Sequence, residues 1–381
     1  MYDLVIRGGT VIDPAQGLHG KADVAIQQGQ VVAVDSHIAG AARQELDATG
    51  LLVVPGLVDI HVHLYKHVCH YGVDPDQTCL STGVTTAVDA GSAGRCTWPG
   101  FRRFVLEPAC MHAYALLHIS GQGMLTDYIG ESDDLRWLDV AACSVIANEN
   151  RDLILGVKVR LDRNRVGQSG LEPLRRAVAA AAQLDLPVMA HVGNTPAPLA
   201  DIAALMRPGD IITHCFHGWS AGVLDDNGLV FPELRQAAER GIIFDVGHGA
   251  GSFAFPVAEA ACEQGFLPTT ISSDLHTYSL NGPAYDLATT MSKFLHIGLS
   301  LDEVVRRVTC DAARALHLDG VAGSLAVGRP ADVTLLQELA GNFPLEDCMA
   351  NTRRARRVLV PRWVVLNGEL LPARTAAPWG A

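Results

Sequence analysis

Eight short apolar β-runs recur between residues 57 and 273, with helical patterns between several of them. The runs are Leu57–Val62, Val84–Asp89, Ala113–Ile119, Ile154–Val159, Pro187–Val192, Ile211–Phe216, Ile242–Val246 and Thr269–Ser273. The clearest helical stretch is Ala-rich, Leu171–Leu184, opened by Glu172-Pro173 in its first turn. Further helices are expected at Pro232–Arg240, Pro256–Gln264 and Leu301–Leu316. Alternation of this kind prescribes parallel strands joined by crossover helices. Eight strands spread over residues 55–320 predict an α/β chain folded as a (β/α)8 TIM-type barrel, whose usual size is roughly 250 residues.

The two ends of the chain have a different texture. Leu4–Gly9 and Val11–Pro14 are short β-rich runs, and Asp23–Val34 reads as a hairpin turning at Gln28-Gly29. The pattern returns in Val321–Gly328, Ala331–Leu336 and Arg362–Gly368. Residues 1–54 and 321–381 are therefore expected to combine into one small β-sandwich domain, since chain termini often lie close together.

Of the 381 residues 49% are apolar and only 18% charged, enough for a large core. The formal net charge of −12 argues against a polyanion partner. The one basic stretch, Arg353–Arg357, precedes the apolar run Val358–Val360 and reads as a flank of an exposed strand entry. No nucleic-acid partner is expected. The nine cysteines are scattered without CxxC spacing and read as reduced thiols. The first seven residues lack the pattern of a signal peptide. No apolar stretch approaches the roughly 20 residues of a membrane span. The expectation is a cytoplasmic protein with no membrane partner, and homo-oligomerisation stays open.

In barrels of this kind chemistry gathers at the carboxyl ends of the strands, and here those ends carry polar residues. The first run closes with His61-Val62-His63, two imidazoles at i and i+2 on one side of an extended segment. The second leads to Asp89, Gly91 and Ser92, and the third to His118 and Ser120. The fourth holds Lys158 and Arg160, and the fifth ends at His191. The sixth reaches His214, the seventh His248, and the eighth Asp274 and His276. His61, His63, His191, His214 and Asp274 are five ligands suited to two divalent ions. An ammonium at Lys158 would be disfavoured beside such ions. Combined with carbon dioxide, the amine becomes a carbamate that bridges two metals.

The order His-x-His, strand-4 Lys, strand-5 His, strand-6 His, strand-8 Asp resembles the amidohydrolase superfamily. More narrowly, the chain resembles its amidohydrolase/deacetylase group, often labelled dihydroorotase-like. The motifs that carry this are Gly156–Arg160, Gly209–Phe216, Phe244–Phe253, Ile271–His276 and Met291–Leu295. The resemblance spans nearly the whole chain, and His217 departs from it where Asn is expected. It implies two divalent metal ions, with zinc the expected metal. It also implies an N6-carboxylysine at Lys158, and metal ligation by His61, His63, Lys158, His191, His214 and Asp274.

The implied reaction is hydrolysis by a hydroxide bridging the two ions, with Asp274 as the catalytic proton carrier. Arg160 is the candidate for gripping a substrate carboxylate, with an ion pair to a loop acid as the alternative. His248, Tyr65 and His276 are further substrate-binding candidates. For His248 the alternative is a hydrogen bond that structures its own loop. His67, Cys69 and His70 read as surface or pocket-rim residues. The expected substrate is a small acylated carboxylate, such as an acetylated α-hydroxy acid or an N-acyl-D-amino acid. The competing reading is a dihydroorotase or related cyclic-amide hydrolase. Dihydroorotases usually place Arg two residues after the second His, where this chain has Tyr65. An inactive structural homologue is disfavoured, because all six ligands are kept.

Overall fold

The computed structural model describes residues 1–380. A parallel sheet of seven strands runs through the middle of the chain: Leu57–Val62, Val84–Gly94, His112–His118, Ile154–Arg160, Val188–His191, Ile211–Thr213 and Ile243–Asp245. They lie side by side in sequence order, each pairing in parallel with the next. The first strand is buried along its whole length, as expected of a sheet covered on both faces.

The eighth run, Thr269–Ser273, is not a regular strand. Asp245 and Thr270 form one isolated parallel bridge, and Val62 and Leu275 another, so the segment touches both edges of the curled sheet. The reason for the irregularity is local. On the side of the first strand, the Ser273 N–H donates to the Asp59 carboxylate at 3.1 Å rather than to a backbone carbonyl. Asp274 then adopts a left-handed φ of +46°. A side chain thus takes over part of the ladder where the chain bends into the site.

Helices cover the sheet. Glu172–Ala182, Pro232–Glu239 and Phe255–Glu263 lie where their sequence patterns put them, while the segment 301–316 divides into Leu301–Arg307 and Cys310–Ala315. Ser300 opens Leu301–Arg307 with a reciprocal capping box to Glu303. Val140–Glu149, Leu199–Leu205 and Leu287–Ile297 are additional helices. Among the described residues, no helix is long and apolar enough to cross a membrane.

Both chain ends contribute to a single hydrogen-bonded sheet of eight strands. Its members are Tyr2–Asp13, Leu18–Gln27, Gln30–Asp35, Ala42–Asp47, Leu52–Pro55, Val333–Glu346, Thr352–Leu366 and Glu369–Pro372. The hairpin between its second and third strands turns at Gln28 and Gly29, both at positive φ (52° and 72°). Leu4–Gly9 and Val11–Pro14, expected as separate runs, form one strand whose register shifts between Ile6 and Gly9. Residues 321–328 carry no strand. The basic residues Arg353–Arg357 lie within a strand instead of before one, with Arg353 paired to Glu259 at 2.7 Å and Arg357 to Glu338 at 3.4 Å. The long hairpin Val333–Leu366 reaches beyond the terminal sheet. Leu345, Val358, Leu359 and Val360 join the core around the parallel sheet, and the Leu359 N–H donates to Ser292 Oγ on helix Leu287–Ile297 at 2.9 Å.

Candidate metal centre and active site

His61 sits in the first parallel strand and His63 just past its end, both buried. Thr213 donates its hydroxyl proton to Asp245 at 2.7 Å, so at 2.8 Å from His61 Nδ1 it accepts. That hydrogen bond assigns the proton of His61 to Nδ1 and leaves the lone pair on Nε2. Ser272 and Thr270 also donate to Asp245, each at 2.7 Å, so the carboxylate that orients Thr213 is itself held rigid. His63 Nδ1 lies 3.0 Å from Ser92 Oγ, and its Nε2 faces the same centre as that of His61.

Asp274 Oδ1 completes this group. It lies 3.4 Å from His61 Nε2 and 3.3 Å from His63 Nε2 and is buried without a hydrogen-bond partner. These three donor atoms lie within 4.8 Å of one another. Lys158 is fully buried, with Nζ 3.3 Å from His61 Nε2. Burial pulls its amine down to about 7. The lysine stem passes against Gly91, where a Cβ would come within 2.5 Å of it and where φ is +88°.

His191 and His214 form a second pair. His214 Nδ1 lies 2.6 Å from the Gly247 carbonyl and His191 Nε2 lies 2.7 Å from Asp162 Oδ2. Both of those nitrogens must carry protons, because their partners only accept. The remaining lone pairs, on His214 Nε2 and His191 Nδ1, point at each other across 2.8 Å. Two acceptors in that arrangement repel unless a cation or proton lies between them. Burial also holds His61, His63 and His214 well below their ordinary range, which favours the neutral, metal-binding imidazole. The donor set therefore fits divalent metal. His214 and Asp274 both take left-handed backbone (φ +72° and +46°), strain of the kind that persists where surrounding structure over-determines a functional residue.

These groups open onto a cavity of about 550 Å3, walled in part by His63, Arg160, His191, Asp274 and His276. A profile of the amidohydrolase family matches residues 52–359, the strands and loops that carry them. The chain belongs to that family. It is 36% identical over 352 residues to a deacetylase of Agrobacterium fabrum, covering 92% of this chain and 86% of that one. Two solved structures match nearly the whole chain with a TM-score of 0.91. One, described as a dihydroorotase, is 34% identical over 99% of this chain and 100% of its own. The other, described as an adenine deaminase, is 32% identical over 98% of this chain and 100% of its own.

Around the candidate metal centre of this amidohydrolase the remaining candidates divide. His276 lines the cavity, with Nε2 3.9 Å from Asp274 Oδ2. Arg160 also lines it, but Glu131 holds its guanidinium by Nε and, at 3.0 Å, by Nη2. Burial pushes the Glu131 carboxyl up, yet the Arg160 charge and the hydrogen bonds from His118 and Arg160 together hold the group well below the usual carboxylate range. Arg160 is thus the ion pair with a loop acid, and only Nη1 stays free of Glu131. Tyr65 is turned away from the cavity, packed against Phe101 with ring centroids 4.6 Å apart and donating to the Thr97 carbonyl at 3.1 Å. Its expected place beside His63 assumes an extended chain, but the strand ends at Val62. Tyr71 takes that place, stacked on His63 at 5.5 Å.

His248 also points elsewhere. Its Nε2 lies 2.6 Å from Lys293 Nζ, and its ring stacks on Phe253 at 4.7 Å. The left-handed Gly247 and Gly249 on either side turn the ring into the protein, so it structures its own loop. His217 is buried, with Nδ1 accepting from the Trp219 N–H at 3.1 Å. His67 stays exposed, whereas Cys69 is buried and His70 Nε2 lies 2.8 Å from Asp127. Nothing in the sequence marks Glu131 or Tyr71. Asp162 has a signal, since it follows Arg160 by two residues at the mouth of the fourth strand.

Proposed function

We propose that this amidohydrolase is a metal-dependent deacylase of small acylated carboxylates, such as an acetylated α-hydroxy acid or an N-acyl-D-amino acid. The observation that carries the reading is Asp274. Its unpartnered Oδ1 faces the Nε2 atoms of His61 and His63 at the edge of a cavity sized for a small molecule. The deacetylase relatives favour acyl transfer to water over the other chemistries of the family.

His61, His63 and Asp274 would hold one divalent ion and His191 and His214 a second, with zinc as the expected metal. Lys158, combined with carbon dioxide as its carbamate and releasing a proton, would be shared between them. Bound metal supplies an acidified water and a polarised acyl carbonyl. Asp274 takes the proton of the attacking water and delivers it to the departing oxygen or nitrogen. His276 stands beside Asp274 and orients the acyl group. The segment 270–275 is read as the eighth stave of a TIM-type barrel, the terminal sheet as its small companion domain, and the cytoplasm as the setting.

The test is hydrolysis by zinc-loaded protein, in bicarbonate, of acetylated α-hydroxy acids, N-acetyl amino acids of both configurations, dihydroorotate and adenine. Selective turnover of one enantiomer of an acetylated acid, lost with a chelator and restored by zinc, is expected. Turnover of dihydroorotate or adenine alone would replace this reading.

A further inference from the structure

Most charged groups around the cavity are already committed. Arg160 is held by Glu131, Asp162 by His191, and Asp274 belongs to the metal centre. Arg163 is different. It lines the same cavity and is exposed, and among the described residues its guanidinium has no carboxylate or other hydrogen-bond partner. Its backbone is nevertheless fixed, because the Arg163 N–H donates to the Asn194 carbonyl at 2.9 Å. Two residues on, Arg165 Nη2 is tied to the Asp127 carboxylate at 2.5 Å, so the turn that carries Arg163 is anchored on both sides.

The neighbours of Arg163 share its character. Asn164 and Asn194 also line the cavity, and among the described residues neither side chain is engaged. A cationic fork and an amide on this anchored turn, with a second amide on the loop after Val188–His191, are donors waiting for an acceptor. Guanidinium matches a carboxylate through two parallel hydrogen bonds. The half-exposed rings of Trp219 and Tyr278 border the same cavity and offer apolar surface to the rest of a ligand.

We propose that Arg163, flanked by Asn164 and Asn194, is the residue that selects anionic substrates by gripping their carboxylate, while Arg160 is retained by Glu131 as a structural pair. The inference rests on the carboxylate-substrate reading above and names the group that enforces it. Binding a charge that does not change in the reaction acts on ground state and transition state alike, so its loss raises KM and spares kcat.

The experiment uses the zinc-loaded full chain with O-acetyl-3-phenyllactate, in both enantiomers, and the matching uncharged carboxamides. Arg163→Met should raise KM for the acid about ten- to a hundredfold, the loss of a charge-assisted hydrogen bond. It should leave kcat within about threefold and the carboxamide unaffected. Arg163→Lys should recover part of the loss. An Arg163→Met enzyme that keeps the wild-type preference for acid over carboxamide would overturn the proposal while leaving the deacylase reading intact. A wild type that hydrolyses neither enantiomer would defeat that reading, and calorimetric binding of 3-phenyllactate then decides the inference. Binding weakened at least tenfold by Arg163→Met upholds it, and equal binding overturns it.

Discussion

The carboxyl edge of the parallel sheet and the terminal sheet are built on opposite terms. At the first, His61, Lys158, His214, Asp245 and Asp274 are all buried, two of the five on left-handed backbone. Burying such groups is unfavourable unless each is paired, and Thr213, Ser272 and Gly247 satisfy some of them. Asp274 Oδ1 stays unsatisfied. The terminal sheet hides Leu4, Ile6, Val24, Ile26, Val53, Val333, Leu335 and Val365 in an apolar core. Its ion pair of Arg7 with Glu45 lies at the surface, where it contributes little, and Asp23, also paired with Arg7 at 3.2 Å, is a buried exception. One region holds strained and unpaired polar groups, and the other is packed around an apolar core.

Four substitutions break or sharpen this contrast. The largest effect is expected at Asp274→Asn. Its kcat/KM should fall about a thousandfold or more, with the melting temperature unchanged or raised, since function and stability compete there. A melting temperature several degrees lower would mean that the site stabilises the fold, and the contrast would fail. Next comes Gly249→Ala. A Cβ at that position meets Asp274 Oδ2 at 2.3 Å on backbone at φ +56°. Displacing the carboxylate should reduce kcat about a hundredfold, and unchanged kcat would show that Asp274 has room to move.

Leu335→Ala tests the other region. Removing a fully buried side chain from the terminal core should destabilise the protein by about 2–5 kcal/mol in denaturant unfolding. Its kcat/KM at 25 °C should match the wild type, and a parallel loss of activity would mean the two regions are coupled. The smallest effect is a pH slope at Lys293, which donates to the Pro283 and Glu346 carbonyls at 2.8 and 2.7 Å beside His248 and Cys348. Burial lowers its amine from 10.5 to about 7. Below pH 7 both folded and unfolded chains carry the charge, so the burial penalty is complete. Between 7 and 10.5 the folded chain has released the proton and the unfolded chain has not, so stability rises with pH. Lys293→Met should abolish that part of the slope, and identical slopes for the two proteins would refute the assignment.

Legibility from the sequence differs in the same way between the regions. The seven parallel strands are readable because each is a short apolar run with a turn signal on either side. The eighth run is less regular, because Asp59 replaces a backbone acceptor there. The residues of the candidate metal centre stand out in the sequence because His, Lys and Asp at strand ends are poor core residues without a ligand. Tyr65 and His248 mislead for one shared reason. Alternation of sides holds only while the chain is extended, and it has ended by Val62 before the first and is broken by left-handed glycines around the second.

The sequence by itself determined the alternation of strand and helix, the family, and a set of candidate metal ligands. These follow from local periodicity and from chemistry that few residue types perform. Only the tertiary structure decided which charges remain free. Glu131, 29 residues before Arg160, reaches across to hold it, while Arg163, three residues after Arg160, stays exposed without a partner among the described residues. Charge compensation is a matter of a few ångströms in space, and separation along the chain carries no record of it.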